Sequence, residues 1–399
     1  MINEKVIRKI SARLNEPEWM LDRRLEAFEK FKELSMPSFR YGIGISVDVS
    51  ELKFDEMNPL DDKSRCKINA SDAEVFGFNE AFENHENLLR ENFMTKCVLA
   101  SEDKFTTFHA AFFNSGVLIR IPENVETKNP IELYLDFNGK VRMDHVLVIA
   151  EKNSKAVIVD YSSSKDSKGF RNQIVEIIAK ENAKVEYRSV QDFAQDVYAF
   201  SKKRAQVEKD GSIQWTDCCI GGKFTQSLTK TFLKGDNAES QSLGIVFGDN
   251  KQCFDINNET IHVASRTKCN MLTKFVLNDN AKAIYRGLIR VNPKAVKCEG
   301  YQKNDTILLS EYAEADAVPN LEIENNDVKC THGATISQVD NDKLFYMMSR
   351  GIDEISAKKQ IVEGFFDPIL VKIEDNDLRD KIKNNISKRL GAIYEKPHA

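Results

Sequence analysis

The chain has 399 residues with 57 basic and 62 acidic side chains, interspersed along its length for a net charge of −5. With no basic stripe there is no footprint for nucleic acid, no apolar run reaches membrane-span length, and Met1-Ile2-Asn3-Glu4-Lys5 lacks the apolar core of a secretory signal. A soluble cytoplasmic protein is expected, long enough for more than one structural unit.

Residues 1–96 read as a helical and mixed region. Pro17 suits the first turn of a helix, and Met20, Leu21, Arg24, Leu25, Ala27, Phe28, Phe31 and Leu34 then keep a helical spacing. Pro37 lies just past its end. Trp19 and the phenylalanines here read as packing residues. Residues 50–95 are poorly patterned, and acidic Asp55 to Asp62 reads as a loop.

Residues 97–335 read as strand after strand. Val117 to Ile121, Ile131 to Phe137, Val146 to Ile149, Ala156 to Asp160 and Val185 to Val190 are examples. Turn clusters separate them, among them Glu181-Asn182-Ala183, Lys209-Asp210-Gly211, Gly235-Asp236-Asn237-Ala238 and Asn278-Asp279-Asn280-Ala281. The small residues Ala156, Ala183, Gly211 and Ala238 are spaced by 27, 28 and 27 positions, and the step to Ala281 is 43. Such a period, built of strands and turns, predicts a parallel β-helix in which each coil covers the apolar face of the last. A β-sandwich would need more tight hairpin turns than Asp210-Gly211 and Asn138-Gly139. The fold class is therefore mainly β, a β-solenoid core with α-helical N- and C-terminal regions.

Residues 336–399 return to helix. Asp340 or Asn341 caps a helix running Leu344 to Ser349, and Gly351 stops it. A second helix turns Ala357, Ile361, Val362 and Phe365 to one face. A third, Asp375 to Leu390, sets Leu378, Ile382, Ile386 and Leu390 four residues apart. Phe345, Tyr346, Met347, Met348, Phe365 and Phe366 form a dense apolar group; most of it is expected to cap the last coil, and part to form a partner groove.

The eight cysteines, at 66, 97, 218, 219, 253, 269, 298 and 330, contain no C-x-x-C pair. This argues against a zinc ribbon, a thioredoxin-like motif or a ferredoxin-type cluster, and most are expected to be buried thiols in a reducing compartment. Cys218 and Cys219 would face opposite sides of a strand. His109, His145 and His262 read as core histidines, His85 and His398 as solvated, and Lys202-Lys203-Arg204 as a solvent face. No P-loop is present, so ATP hydrolysis by the chain itself is not expected.

One pair stands apart. Cys330 and His332 follow the extended Leu321-Glu322-Ile323, and on a strand residues i and i+2 share a face. A thiol beside an imidazole suits iron, zinc or copper better than calcium or magnesium. Two donors fall short of about four for a tetrahedral metal, so the remainder would come from another segment or another chain. The same pair also fits a buried thiol next to a hydrogen-bonded core histidine.

The surrounding sequence resembles the SufB/SufD family of iron–sulfur cluster assembly proteins. The matching stretch starts at Asn304-Asp305-Thr306-Ile307-Leu308-Leu309-Ser310-Glu311, passes Ala313-Glu314-Ala315 and Val318-Pro319, and includes Cys330-Thr331-His332-Gly333-Ala334-Thr335. It continues through Leu344-Phe345-Tyr346 and Ser349-Arg350-Gly351-Ile352 to Glu363-Gly364-Phe365-Phe366. Asn257 to His262, Val276 to Asp279, Tyr285 to Val291 and the opening Glu16 to Arg24 also fit, whereas residues 40–115 match weakly. The resemblance implies a right-handed parallel β-helix and a C-terminal region that docks the ABC-type ATPase SufC, with Phe345, Tyr346, Arg350, Gly351, Phe365 and Phe366 as the contact residues.

The pattern is closest to the SufD branch. SufB-type scaffolds carry a cluster-accepting Cys where this chain has Ala313, and a His-Glu pair where it has His332-Gly333; the Cys-x-His-Gly-Ala-Thr run is SufD-like. The Pro17-Glu18-Trp19 opening is nearer to SufB. The implied role is a non-catalytic scaffold subunit that pairs with a SufB-like chain. His332, with Cys330 as a second donor, would meet a transient iron or iron–sulfur cluster at the interface, with none held tightly by the isolated chain. Two other readings stay open. One is a homodimeric scaffold that assembles clusters itself, with Cys253, Cys269 or Cys298 in place of the missing thiol. The other is a β-solenoid enzyme acting on acidic polysaccharides.

Overall fold

The computed structural model describes residues 2–41, 45–164 and 168–394. Its centre is a parallel β-solenoid of two nine-stranded sheets. The first sheet runs from Arg65–Asn69 through Ile131–Asp136, Lys155–Ser163, Lys184–Phe193, Ser212–Gly221, Glu239–Gly248, Lys268–Leu277 and Cys298–Leu308 to Val328–Gln338. The second runs from Glu74–Gly77 through Ser115–Ile121, Val141–Ala150, Gly169–Ala179, Val197–Val207, Phe224–Leu233, Cys253–His262 and Lys282–Val291 to Glu314–Ile323. Successive strands alternate between the sheets, so each coil lays one strand on each. All pairings are parallel except those of the first strand in each sheet.

Coil register explains the period in the sequence. Lys155, Lys184, Ser212, Glu239, Lys268, Glu299 and Lys329 form one cross-strand column, 27 to 31 residues apart. Ala183, Gly211 and Ala238 share the position just before it, as expected, but Ser154 and not Ala156 precedes them, and Thr267 follows. Ala281 lies at the opposite turn, beside Lys282. Each coil has two turns, and the small-residue count had mixed them. Asn153, Asn182, Asp210, Asn237, Arg266 and Lys297 each take a left-handed conformation with φ of 56 to 60°, which Asn and Asp tolerate best. The Asn182 amide donates to Asn153 Oδ1 at 2.9 Å, extending the turn contacts along the axis.

Eight α-helices flank the solenoid among the described residues: α1 Glu4–Arg13, α2 Glu18–Glu33, α3 Phe78–Asn84, α4 Glu86–Asn92, α5 Lys104–Phe112, α6 Asn341–Ser349, α7 Glu354–Leu370 and α8 Asn376–Tyr394. α5 falls where strand was expected. Every residue from Phe105 to Phe112 is buried, so the segment has no polar face to show a helical period. Its phenylalanines join Phe28, Phe31, Phe54, Phe170 and Phe200 in a core between the N-terminal unit and the outer face of the second sheet.

Lys202 and Lys203 are both buried, contrary to the solvent-face expectation. Lys202 points out of the sheet under α5 and donates to Asp103 Oδ2 at 2.5 Å and Thr106 Oγ1 at 2.6 Å. Lys203 points into the solenoid and donates to Asp217 Oδ1 at 2.8 Å. Strand alternation splits the charge run between two interiors.

α7 and α8 lie on the outer face of the first sheet. Val362, Phe366, Ile369, Leu378, Ile382, Ile386 and Leu390 cover Val159, Val190, Cys218, Leu243 and Ile245; each fully buried aliphatic or aromatic side chain is worth about 1.5–3 kcal/mol. Arg389 Nη2 fastens α8 to Asp192 at 2.8 Å. These helices cover a side of the solenoid, not its end. α6 has no buried residue, so the expected cap over the last coil is not formed.

Candidate metal or cluster site at the open end of the solenoid

The last coil, Glu314–Ile323 and Val328–Gln338, holds the final strand of each sheet. Register fixes which side chains face inward. Cys330 continues the column Ser240, Cys269, Gly300, and His332 continues Ser242, Met271, Gln302. The preceding members are buried inside the solenoid. Cys330 and His332 therefore point together into its mouth, as their spacing predicted. Among the described residues no further coil lies above, so Cys330 is half-buried and His332 exposed.

Beneath them the interior is thiol-rich and partly polar. Cys330 packs against a cluster containing Cys269, Cys298, Met271 and Ile289. A Cβ on Gly300 would stand 3.1 Å from Cys330 Sγ and from Ile289, so glycine makes room for the sulfur. Burial pushes the Cys330 thiol up from its ordinary pKa, which favours the neutral thiol until a metal or cation replaces the proton. Gln302 donates to the Asn320 carbonyl at 2.8 Å, and its Oε1 is a buried acceptor without a hydrogen-bond partner. No set of three His, Cys, Asp or Glu donors among the described residues is arranged to hold a metal. The mouth offers two soft donors and no closed shell.

The other proposed residues separate into two groups. Phe345 and Tyr346 on α6 are 73% and 59% exposed, and Arg350 stacks its guanidinium over Tyr346 at 5.2 Å. Gly351, with φ of 86°, ends α6 in a conformation that glycine adopts without strain. Phe365 is half-buried beside Lys274. Phe366 has no accessible surface; it seats α7 on the solenoid and is not a surface residue. Ala313 is buried in the turn before Glu314–Ile323 and carries no donor.

The remaining expectations divide similarly. Cys97, Cys218, Cys219, Cys269 and Cys298 are buried, but Cys66 is exposed at the first coil, beside Arg142 Nη2 at 2.8 Å. Cys218 and Cys219 do face opposite sides, one under the C-terminal helices and one inside. His262 is a core histidine between Thr267 Oγ1 at 2.7 Å and Cys269 Sγ at 3.2 Å. His85 packs its ring against Phe76, with centroids 4.3 Å apart, and is not simply solvated. His398 lies outside the described residues.

A group missed in the sequence is Glu176. His145 links Glu176 Oε1 at 3.1 Å to His109 at 3.3 Å. The carboxylate also accepts the Met94 and Val98 amides, tying the N-terminal unit to the solenoid. Burial drives Glu176 up to about 8 and His145 down to about 3. Apolar neighbours in sequence hid the role, which only coil register brings together.

Comparison with known proteins bears on the whole chain. The SUF system FeS cluster assembly SufBD core domain matches residues 134–365, more than half the length. A SufBD family iron–sulfur cluster assembly protein of Staphylococcus saprophyticus is 28% identical over 421 residues, spanning 92% of this chain and 88% of the relative. Counterparts in Staphylococcus haemolyticus and Staphylococcus aureus USA300 are also 28% identical, over 417 residues with the same coverage. No helix among the described residues is long and apolar enough to cross a membrane. The matched domain covers most of the solenoid, from its Ile131–Asp136 strand onward, and reaches into α7, and on that match this chain belongs to the SufBD family of iron–sulfur cluster assembly proteins.

Proposed function

We propose that this chain is a SufD-like, non-catalytic subunit of a cytoplasmic cluster-assembly scaffold. It pairs through its last coil with a SufB-like chain and docks a SufC-type ABC ATPase on its C-terminal helices. The observation that carries this reading is the open last coil, in which Cys330 and His332 face a mouth that nothing among the described residues closes.

The chemistry follows from that placement. An iron ion or nascent cluster is cargo here and needs more donors than this chain supplies. His332 offers an imidazole and Cys330 a thiol, and the partner coil would bring the rest. With Ala313 where a SufB-type chain has its acceptor thiol, the missing sulfur falls to the partner. Gly333 keeps the strand beside His332 free of a side chain.

Exposed apolar surface supports the two docking faces. Among the described residues, nine of the fourteen exposed large hydrophobic side chains lie between Tyr301 and Ile355, so they are concentrated on the last coils, α6 and the start of α7. Val318, Ile323 and Ile336 mark the coil, and Phe345, Tyr346 and Met348 mark the helix. Unpaired strand edges with apolar side chains invite pairing with another chain.

Anaerobic co-purification with a SufB-like paralogue and a SufC-like ATPase tests the reading. A ternary complex that carries iron and sulfide is expected. Self-association without the paralogue would instead favour the homodimeric scaffold.

A further inference from the structure

The strand that carries His332 is connected twice to the C-terminal helices. The first connection is the chain itself, since α6 begins after only Val339 and Asp340. The second runs through side chains on the outer face of the first sheet. Lys274, Asp305 and Thr335 stand in register on its last three strands. Thr335 Oγ1 donates to Asp305 Oδ1 at 2.6 Å. Asp305 Oδ2 faces Lys303 Nζ at 3.1 Å and Lys274 Nζ at 3.5 Å. Lys274 Nζ in turn lies 4.1 Å from the centre of the Phe365 ring on α7.

Both central residues are buried. Burial pushes the Asp305 carboxyl up, but Thr335, Lys303 and Lys274 outweigh it and hold the group below its ordinary range. The column is thus an ionised, hydrogen-bonded link between a helix and the edge strand, added to the parallel ladder that pairs this strand with Cys298–Leu308. Charge-assisted bonds are stronger and more directional than packing contacts, so a shift of Lys274 under Phe365 is passed on to Thr335, three residues from His332.

We propose that the Phe365–Lys274–Asp305–Thr335 column couples the position of α6 and α7 to that of the strand bearing Cys330 and His332. This rests on the reading of both regions given above, and it assigns Asp305 and Thr335 as positioning residues. A partner that pulls or rotates α7 would move the donor strand without touching it.

Hydrogen exchange on the full-length free chain tests the link. Thr335→Val and Phe365→Leu should each speed exchange of the amides in 328–338 about fivefold, by loss of one bond's worth of restraint. The double variant should exchange no faster than the faster single one, because both cut the same path. Thr335→Ser, which keeps the hydroxyl, should behave as wild type. Wild-type exchange in Phe365→Leu, or multiplied effects in the double variant, would overturn the proposal.

A second readout uses the chain with its SufC-like ATPase. Docking should change the rate of Cys330 alkylation by N-ethylmaleimide, followed peptide by peptide, in wild type but not in Thr335→Val. Equal changes in both would overturn the column as the route. Failure of the ATPase to bind would count against the docking reading, while exchange in the free chain still decides the column.

Discussion

Gln302 and His332 are register partners on the last two strands of one sheet, yet Gln302 is fully buried and His332 exposed. One further coil is all that separates the two environments. A partner strand laid on Val328–Gln338 would bury His332 as the last coil now buries Gln302. His332→Ala should therefore leave the isolated fold within about 0.5 kcal/mol of wild type, as for other exposed positions. In the complex with a SufB-like chain it should lower iron content while partner binding persists, measured by metal and sulfide analysis of anaerobically purified material.

α6 and α7 divide surface from support. Phe345→Glu on exposed α6 should abolish ATPase docking with almost no change in urea midpoint. Phe366→Ala, at a fully buried position, should cost about 3–5 kcal/mol of stability. Binding measured by calorimetry beside urea unfolding separates the two effects.

The Lys203–Asp217 pair inside the solenoid makes a sharper stability test. Lys203→Met strands the Asp217 carboxylate in the interior and should destabilise by about 3–5 kcal/mol. Adding Asp217→Leu should recover part of that loss, since an apolar pair of similar size carries no unpaired charge. Urea midpoints of the wild type and the two variants give the comparison.

Glu176 sets a pH dependence. Its folded pKa is raised to about 8 from an unfolded value near 4.5, so the folded state binds the extra proton. The stabilisation from the neutral carboxyl is present at low pH and is lost as pH rises toward 8. His145, depressed to about 3, works in the opposite sense but only below its ordinary range near 6.5. Between pH 6.5 and 8.5 the wild type should therefore lose a few degrees more in Tm than Glu176→Gln.

The solenoid was legible because strand alternation and coil length both leave marks in sequence, and the pairing of Cys330 with His332 needs only the two-residue repeat of a strand. Register between coils leaves weaker marks. Ala281 fell out of the small-residue column because two turns per coil share one composition, and Ala156 because it lies two positions past Ser154, the residue that holds the column in that coil. Lys203, Glu176 and Gln302 gained their meaning from neighbours 14 to 82 residues away, which no local window joins. α5 was hidden for a different reason: buried on every side, its apolar run has no period. The uncovered last coil could not be read locally either, since Phe366 and Phe345 look alike in sequence and one is buried while the other is exposed.

The most direct test of the open-coil account charges the last coil itself. Val318→Lys combined with Ile336→Lys places two cations on the last coil without touching Cys330, His332 or α6. Anaerobic co-purification should then yield the ATPase bound to this chain but neither the SufB-like partner nor any iron. A variant that still recovers the partner in full, with iron and sulfide at wild-type levels, would show that the last coil is not where the scaffold is joined.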